Sequence, residues 1–226
     1  MNNNMNNMNN IKKGGGIEYE YQIIDINKKD IVKKLKSLGA KKIHKKILYS
    51  SMYFWKNDSS EFFRVRKEFN NITITKKILK RNNKLLEHVE EYEISIYKGS
   101  DFKDIINFIK QIIPSDFNII RGAEKYREKW SLKDLCHEIV FDTWPGLDEY
   151  IELDCNTEKE LKKILKLLNL EKNKRYTGGV FDYYIDFYGI KDRNMLKNLS
   201  YEFSNVFYKE LLKHATKNKH KLLKLK

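Results

Sequence analysis

The sequence from Ile17 to Ile24 reads Ile-Glu-Tyr-Glu-Tyr-Gln-Ile-Ile. Apolar and polar residues alternate along it, which is typical of a β-strand with one buried face. The polar face carries Glu18, Glu20 and Gln22. Two carboxylates two residues apart on a strand point the same way and repel each other unless a cation lies between them. The stretch therefore predicts either a cation-binding strand or a half-exposed edge strand.

The composition restricts the class of protein. The chain has 226 residues, which is enough for one large domain or two small ones. It has no apolar run long enough to span a membrane and no signal-peptide pattern, so we expect a cytoplasmic protein without a membrane partner. Cys136 and Cys155 lack the paired spacing of a zinc knuckle or a disulfide framework, and we expect neither. The net charge of +14 favours polyanionic partners, although frequent Asn, Ile and Lys throughout the chain indicate a general composition bias.

The order of patterns predicts three segments. We expect a disordered Asn-rich leader over residues 1–16, a folded domain over 17–205 and a basic C-terminal helix or tail over 206–226, mobile at its end. Residues 174–189 are expected to be irregular and aromatic. After the first strand, further strands are predicted at about 46–55, 61–67, 72–80, 86–96, 119–130, 136–142 and 149–155.

Helices are predicted between some of these strands from apolar residues at helical spacing. They cover about 28–38, 101–113 and 157–170, with further helix expected over 191–226. Thr157 and Glu160 have the spacing of a capping box at the start of the third helix.

Charged residues recur on the strand faces opposite the apolar ones. The acidic set is Glu18, Glu20, Glu91, Glu93, Asp142, Glu152 and Asp154. The basic set is Arg64, Arg66, Lys77, Lys125 and Arg127. In an open sheet this charged face would be solvated, whereas in a closed one it would line the interior and need ions or a ligand. We expect an α+β fold built on a closed, eight-stranded antiparallel β-barrel, or tunnel, with helices packed outside.

The mixture of charges indicates the class of ligand. Carboxylates alone favour a bare metal site, and basic residues alone favour a phosphate site. Both together favour a polyphosphate bound with Mg²⁺ or Mn²⁺, because bases hold phosphate oxygens and acids hold the metal. The paired Arg64 and Arg66 suit bidentate phosphate contacts.

The order of these motifs resembles the CYTH, or triphosphate tunnel metalloenzyme, superfamily. Glu-x-Glu, Arg-x-Arg, Thr-x-Lys, Glu-x-Glu, a basic strand, an Asp before a turn and a final Glu-x-Asp follow one another over about residues 17–190. No single motif is specific for this superfamily, but the occurrence of all seven in this order is strong evidence for the resemblance. The superfamily includes class IV adenylate cyclases, thiamine triphosphatases, inorganic triphosphatases and RNA triphosphatases of capping systems.

The resemblance implies a role for each matching residue. It implies metal binding by Glu18, Glu20, Asp142, Glu152 and Asp154. It implies triphosphate binding by Arg64, Arg66, Lys77 and Arg127, to which we add Lys125, while Glu91 and Glu93 orient the bases or help to hold metal. The residues expected to carry catalysis are Glu18, Glu20, Arg64, Arg66 and Lys77.

Two positions depart from the superfamily pattern. Gln22 stands where a Lys is usual, and Val89 stands where an Arg usually precedes the acids of the fifth strand. Gln can donate a hydrogen bond but cannot offset charge.

Three functions follow from this pattern. We expect a metal-dependent hydrolase of tripolyphosphate, thiamine triphosphate, a nucleotide or an RNA 5′-triphosphate, with a small molecule favoured over an RNA end. A class IV-like adenylate cyclase and a non-catalytic binder of polyphosphate or nucleotide are the alternatives. The sequence does not indicate an oligomeric state.

Overall fold

The computed structural model shows an α+β protein with one large antiparallel sheet and several helices. It describes residues 12–17, 19–80, 88–97, 101–133, 135–176 and 180–225. The chain divides into two compact units. The first unit comprises Met1–Ile17 and Tyr49–Gly122, and the second comprises Glu18–Leu48 and Ala123–Lys226.

The described residues form ten strands and seven helices. The strands are β1 (Lys12–Ile17), β2 (Tyr19–Ile23), β3 (Lys41–Trp55), β4 (Glu61–Glu68), β5 (Asn71–Lys80), β6 (His88–Tyr97), β7 (Ile119–Leu132), β8 (Cys136–Thr143), β9 (Tyr150–Cys155) and β10 (Arg175–Tyr176). The helices are α1 (Lys28–Ser37), α2 (Phe102–Ile112), α3 (Glu158–Leu168), α4 (Val180–Tyr188), α5 (Arg193–Lys197), α6 (Asn205–His214) and α7 (Lys219–Leu223).

The predicted closed barrel of eight strands is not confirmed. The hydrogen-bonded strands follow the open order β1-β6-β5-β4-β3-β7-β8-β9-β2-β10. The two end strands of this order are additions that the sequence did not predict as separate strands. In the first unit β1 pairs with β6, and in the second β10 pairs with β2. Each one satisfies backbone groups on a strand that would otherwise form an edge.

Strand β1 also corrects the predicted leader. Residues 12–16 were expected to be disordered, but they pair with β6 in a continuous antiparallel register. The glycines at 14–16 join this ladder because pairing needs only backbone N–H and C=O groups. Residues 1–11 lie outside the described part of the chain.

The core of the first unit lies between its strands and helix α2. Phe54, Val65 and Ile72 are buried together with Ile106 and Ile109 of the helix. Asp101 caps α2 by accepting hydrogen bonds from the backbone N–H groups that follow it, and the helix ends before Pro114 because the residue preceding a proline avoids helical geometry. This packing leaves the opposite sheet face for polar residues.

The core of the second unit lies between β2, β8 and β9 and the helices α1 and α3. The predicted capping box is confirmed: Thr157 accepts from the Glu160 backbone N–H, while the Glu160 carboxylate accepts from the backbone of Thr157. Burying each large apolar side chain in such a core contributes about 1.5–3 kcal/mol. Here too, the apolar face of the strands is the one that the helices cover.

The two cysteines correct a further expectation, because Cys136 and Cys155 form a disulfide that links β8 and β9. Both lie in the core of the second unit. Their separation of 19 residues carries no pairing signal in the sequence, and strand pairing brings them together.

The C-terminal region is more ordered than its sequence predicted. Residues 174–189 contain β10 and α4 instead of being irregular, and the basic segment 206–226 folds into α6 and α7. Leu211 and Leu222 are fully buried, so apolar anchors fix this segment in place of a mobile tail. Tyr184 and Tyr188 of α4 donate hydrogen bonds to the carbonyl groups of the turn between β8 and β9.

No helix within the described ranges has the length and hydropathy needed to cross a membrane.

Adjacent leucines in the C-terminal segment test its order. Leu222 is 0% exposed and Leu223 is 56% exposed. Leu222→Ala should lower the free energy of unfolding by about 2–5 kcal/mol, because it leaves a cavity. Leu223→Ala should change it by less than about 0.5 kcal/mol. Urea denaturation followed by circular dichroism measures both, and equal effects would show that the segment does not pack.

Candidate functional site

The polar sheet face of the first unit includes three adjacent cross-strand rows that carry its predicted basic residues. Residues directly opposite in antiparallel strands point to the same face, and the register of β3, β4, β5 and β6 therefore defines each row. The hydroxyl row contains Ser51, Arg66, Thr73 and Ser95. The central row contains Tyr53, Arg64, Thr75 and Glu93. The aromatic row contains Trp55, Phe62, Lys77 and Glu91.

A hydrogen-bond chain fixes the central row. Nη2 of Arg64 donates to Thr75 Oγ1 at 3.2 Å, and Thr75 Oγ1 donates to Glu93 Oε2 at 3.0 Å. Thr75 is fully buried. Nη2 of Arg64 and of Arg66 both lie 3.9 Å from Glu93 Oε2. One carboxylate therefore positions two guanidinium groups, and Thr75 connects it to the first of them.

Two buried donors on this face have no acceptor among the described residues: Nε of Arg64 and Oγ1 of Thr73. Leaving a buried polar group without a hydrogen bond costs about 1–3 kcal/mol. The face also carries three basic side chains, Arg64, Arg66 and Lys77, together with the carboxylates of Glu68, Glu91 and Glu93. Lys77 Nζ lies 3.1 Å from Glu91 Oε2. Buried donors without acceptors among the described residues, next to these basic groups, suit an anionic ligand.

Arg127 is the centre of the polar cluster in the second unit. Its Nε and Nη2 donate to the two oxygens of Asp142, each at 2.7 Å, in a bidentate pair. Nη2 also donates to Glu152 Oε1 at 2.7 Å, and Nη1 donates to Glu138 Oε2 at 2.8 Å. Arg127 is 5% exposed and Asp142 is fully buried. Lys125 Nζ completes the cluster by donating to Asp142 Oδ2 at 2.7 Å.

The ionisation of this cluster follows from burial and charge. Burial alone would lower the pKa of Arg127, but the carboxylates of Asp142, Glu152 and Glu138 outweigh it and raise that pKa well above its usual value. Burial would raise the pKa of Glu138, but Arg127 and Lys129 lower it to about 2. Both groups are therefore charged at neutral pH.

Asp142 and Glu152 respond differently to the same arginine. Burial favours the neutral form of each. Arg127 and Lys125 overcome burial at Asp142 and lower its pKa. At Glu152 burial dominates and raises the pKa, which is consistent with its receiving a single oxygen contact from Arg127. Asp142 is thus the firmly ionised partner of Arg127.

The predicted metal ligands separate into two groups. Glu20 and Asp154 are register partners on β2 and β9, both partly exposed. Mg²⁺ commonly takes one or two carboxylates and fills its remaining positions with water and substrate oxygens, so this pair fits a divalent cation. The oxygens of Asp142 and Glu152 accept hydrogen bonds from Arg127. Glu18 lies outside the described residues.

Within the described ranges, no group of three His, Cys, Asp or Glu side chains is arranged to hold a metal ion. A divalent cation at Glu20 and Asp154 would therefore need oxygen ligands from water or substrate.

Gln22 lies next to this pair and is 7% exposed. Its Nε2 is 3.4 Å from both Glu20 Oε1 and Glu152 Oε2, while its Oε1 has no hydrogen-bond partner in the part of the chain that the structure describes. It thus bridges two carboxylates without neutralising either. The side chain of Val89, the other departure from the superfamily pattern, is not described.

The sequence assigned no function to three features of the first unit: Ser51, the hydroxyl of Thr73, and the aromatic pair Trp55 and Phe62. Ring centroids of Trp55 and Phe62 lie 4.3 Å apart, and Arg121 lies over Trp55 at 5.2 Å. The two-residue alternation that revealed Arg64 and Arg66 places these residues on the same face. Their chemistry is too common to identify them without the cross-strand register.

Known proteins share the fold of this chain. No family model and no curated protein matches it. A structure from Pyrococcus horikoshii is 20% identical, with a TM-score of 0.53, covering 70% of this chain and 94% of its own. One from Pyrococcus furiosus is 16% identical, with the same coverage and TM-score. A Vibrio parahaemolyticus structure described as a "putative adenylate cyclase" is 11% identical, with a TM-score of 0.52, covering 71% of this chain and 94% of its own. At these sequence identities the comparison shows a shared fold.

The low pKa of Glu138 predicts a pH-dependent stability. A carboxylate whose pKa is depressed when folded stabilises the protein above its ordinary pKa, and this contribution is lost as the pH falls. Glu138→Gln should therefore lower the free energy of unfolding by on the order of 2 kcal/mol at pH 7. The difference from wild type should shrink from about pH 4.5 downward and vanish near pH 2.

Urea titrations at pH 7, 4 and 3 measure this difference. Glu158→Gln is the matched control, because Glu158 forms an exposed pair with Lys162 on helix α3. A pH-independent difference for Glu138→Gln would contradict the assigned ionisation.

Proposed function

We propose that this chain is an enzyme that hydrolyses a triphosphate with the help of Mg²⁺ or Mn²⁺. The observation that carries the proposal is the polar face of the first unit. There Arg64, Arg66 and Lys77 project from neighbouring strands, and no described residue provides an acceptor for the buried Nε of Arg64. The fold shared with the neighbours described above supports the proposal. The proposal goes beyond the fold by naming the substrate and the metal requirement.

The spacing of the cations favours a chain of phosphates over a single one. Arg64 and Arg66 are two residues apart on β4, which separates them by roughly 6.7 Å along the strand. Lys77 is the register partner of Phe62 and so extends the series by another two residues. Cations distributed over this length can each contact a different phosphoryl group of one ligand.

Hydrolysis of such a ligand depends on positioning and electrostatic stabilisation more than on covalent chemistry. Arg64 and Arg66, held by Glu93, would neutralise the phosphate chain and the charge that develops as the bond to the leaving group breaks. Water is the nucleophile, so no covalent intermediate is required. Bound Mg²⁺ or Mn²⁺ would supply charge neutralisation and a water of lowered pKa. In the second unit, Glu20 and Asp154 are candidate protein ligands for such an ion.

In the second unit, we propose for Arg127 a role other than the phosphate binding that the resemblance implies. All the guanidinium nitrogens of Arg127 donate to carboxylates. We therefore assign Arg127 as a positioning residue for Asp142 and Glu152 and not as a direct phosphate ligand. Lys125 is more exposed and stays a candidate ligand, since its side chain is 18% exposed.

Adjacent cations on β4 test the proposal. Arg66 faces the polar side, and the exposed Lys67 points the other way. Arg66→Ala should reduce phosphate release from tripolyphosphate by about 100-fold or more, because it removes a donor that stabilises developing charge. Lys67→Ala should leave the rate unchanged.

The assay measures phosphate release with Mg²⁺ or Mn²⁺, with thiamine triphosphate and nucleoside triphosphates as further substrates. EDTA should abolish release. Equal rates for the two variants would refute the proposal, and binding of tripolyphosphate without turnover would identify a non-catalytic binder.

The aromatic row favours a second candidate, a class IV-like adenylate cyclase. Trp55 and Phe62 border Lys77, and aromatic rings beside phosphate-binding cations suit a nucleobase. The Vibrio parahaemolyticus structure is also described as a "putative adenylate cyclase". Product analysis with ATP separates the two activities: cyclic AMP and pyrophosphate indicate the cyclase, whereas ADP and phosphate indicate the hydrolase.

A further inference from the structure

We infer that the hydroxyl row is a phosphoryl-binding subsite in which the Thr73 hydroxyl contacts the ligand directly. The inference rests on the proposed function and extends it to residues outside the superfamily motifs.

The row has a composition unlike the other two. Ser51 lies opposite Arg66, Arg66 opposite Thr73, and Thr73 opposite Ser95. Three hydroxyl groups thus accompany a single guanidinium group on four adjacent strands. The central and aromatic rows each include a glutamate, but the hydroxyl row does not. Every side chain in it can donate a hydrogen bond, and its charge is positive.

Thr73 and Thr75 form a natural comparison, because they lie two residues apart on the same face of β5. Thr75 Oγ1 accepts from Arg64 and donates to Glu93, as expected of a structural hydroxyl. Thr73 Oγ1 has no hydrogen-bond partner among the described residues, although the atom is buried. Its residue is only partly buried, so rotation about χ1 can bring the hydroxyl to a ligand. The Thr73 hydroxyl can therefore donate a hydrogen bond to a ligand, because no described residue accepts one from it.

The chemistry of the row selects a phosphoryl group as that acceptor. The guanidinium of Arg66 disfavours a metal cation at the same place. Arginine binds phosphate oxygens through parallel hydrogen bonds, and flanking hydroxyls can donate to the remaining oxygens. The row also lies on the far side of the central row from Trp55 and Phe62. Any organic part of the ligand that stacks on these rings would leave the hydroxyl row to a phosphoryl group.

Replacement of Thr73 by the isosteric Val tests the inference with two readouts. Titration calorimetry with tripolyphosphate should show a Kd raised by about tenfold, the loss expected for one hydrogen bond to a charged group. Thermal unfolding without ligand should show a Tm at or above that of wild type, because the variant removes a buried hydroxyl without a partner. Thr73→Ser should restore tight binding.

Thr143→Val is the matched control, since the Thr143 hydroxyl accepts from Lys46 in the second unit. Its Kd for tripolyphosphate should equal that of wild type.

The possible results separate the inference from the proposed function. If Arg66→Ala abolishes binding and Thr73→Val binds like wild type, the Thr73 hydroxyl does not contact the ligand; the inference then fails and the proposed function stands. If the wild-type chain does not bind tripolyphosphate, the proposed function fails as well. A lowered Tm in Thr73→Val, with weak binding that Thr73→Ser does not restore, would make Thr73 structural and overturn the inference.

Discussion

Cross-strand register determines where the charged side chains of the described strands lie. Each strand buries one face against helices, and the core residues fix which face that is: Val65 is fully buried and lies between Arg64 and Arg66 in sequence. A slip of one residue would bury both arginines and expose the core. The hydrophobic core therefore holds the polar face in place, and the three rows of the first unit follow from this constraint.

The two units use their charges in different ways. In the second unit, Arg127 and two lysines match Asp142, Glu152 and Glu138, and three of these six charged residues, Arg127, Asp142 and Glu152, are buried. A buried ionic network is weak evidence of stability but can enforce one arrangement of side chains. On the polar face of the first unit, buried donors lack acceptors among the described residues. We interpret the network of the second unit as a scaffold and the polar face of the first unit as a surface prepared for a ligand.

Local patterns predicted most of the fold. Alternation located the strands, helical spacing located α1, α2 and α3, and the capping box at Thr157 was predicted to the residue. These signals arise from neighbours within a few positions of each other. The packing of α6 and α7 was not predicted, since the buried Leu222 resembles any other leucine in a basic segment until its partners are known.

The sequence predicted which residues lie on the polar faces of the candidate site, but not which side chains they contact. The sequence placed Arg127, Asp142 and Glu152 on polar faces, and the resemblance assigned the two acids to metal. The structure places both acids against Arg127, which depends on contacts 15 and 25 residues apart. Similarly, alternation put Thr73 and Thr75 on one face, but it could not show that one hydroxyl is satisfied and the other is not.

The hydrogen bonds from α4 to the β8–β9 turn have a consequence for how the C-terminus can be altered. Tyr184 holds the Pro145 carbonyl, Tyr188 holds that of Gly146, and a side chain on Gly146 would meet both Tyr188 and Leu222. Helix α4 thus holds the turn by two hydrogen bonds. Asp142 and Glu152 stand on the two arms of that hairpin. A truncation that includes α4 would remove both hydrogen bonds and so leave the hairpin that carries Asp142 and Glu152, the carboxylate partners of Arg127, less restrained.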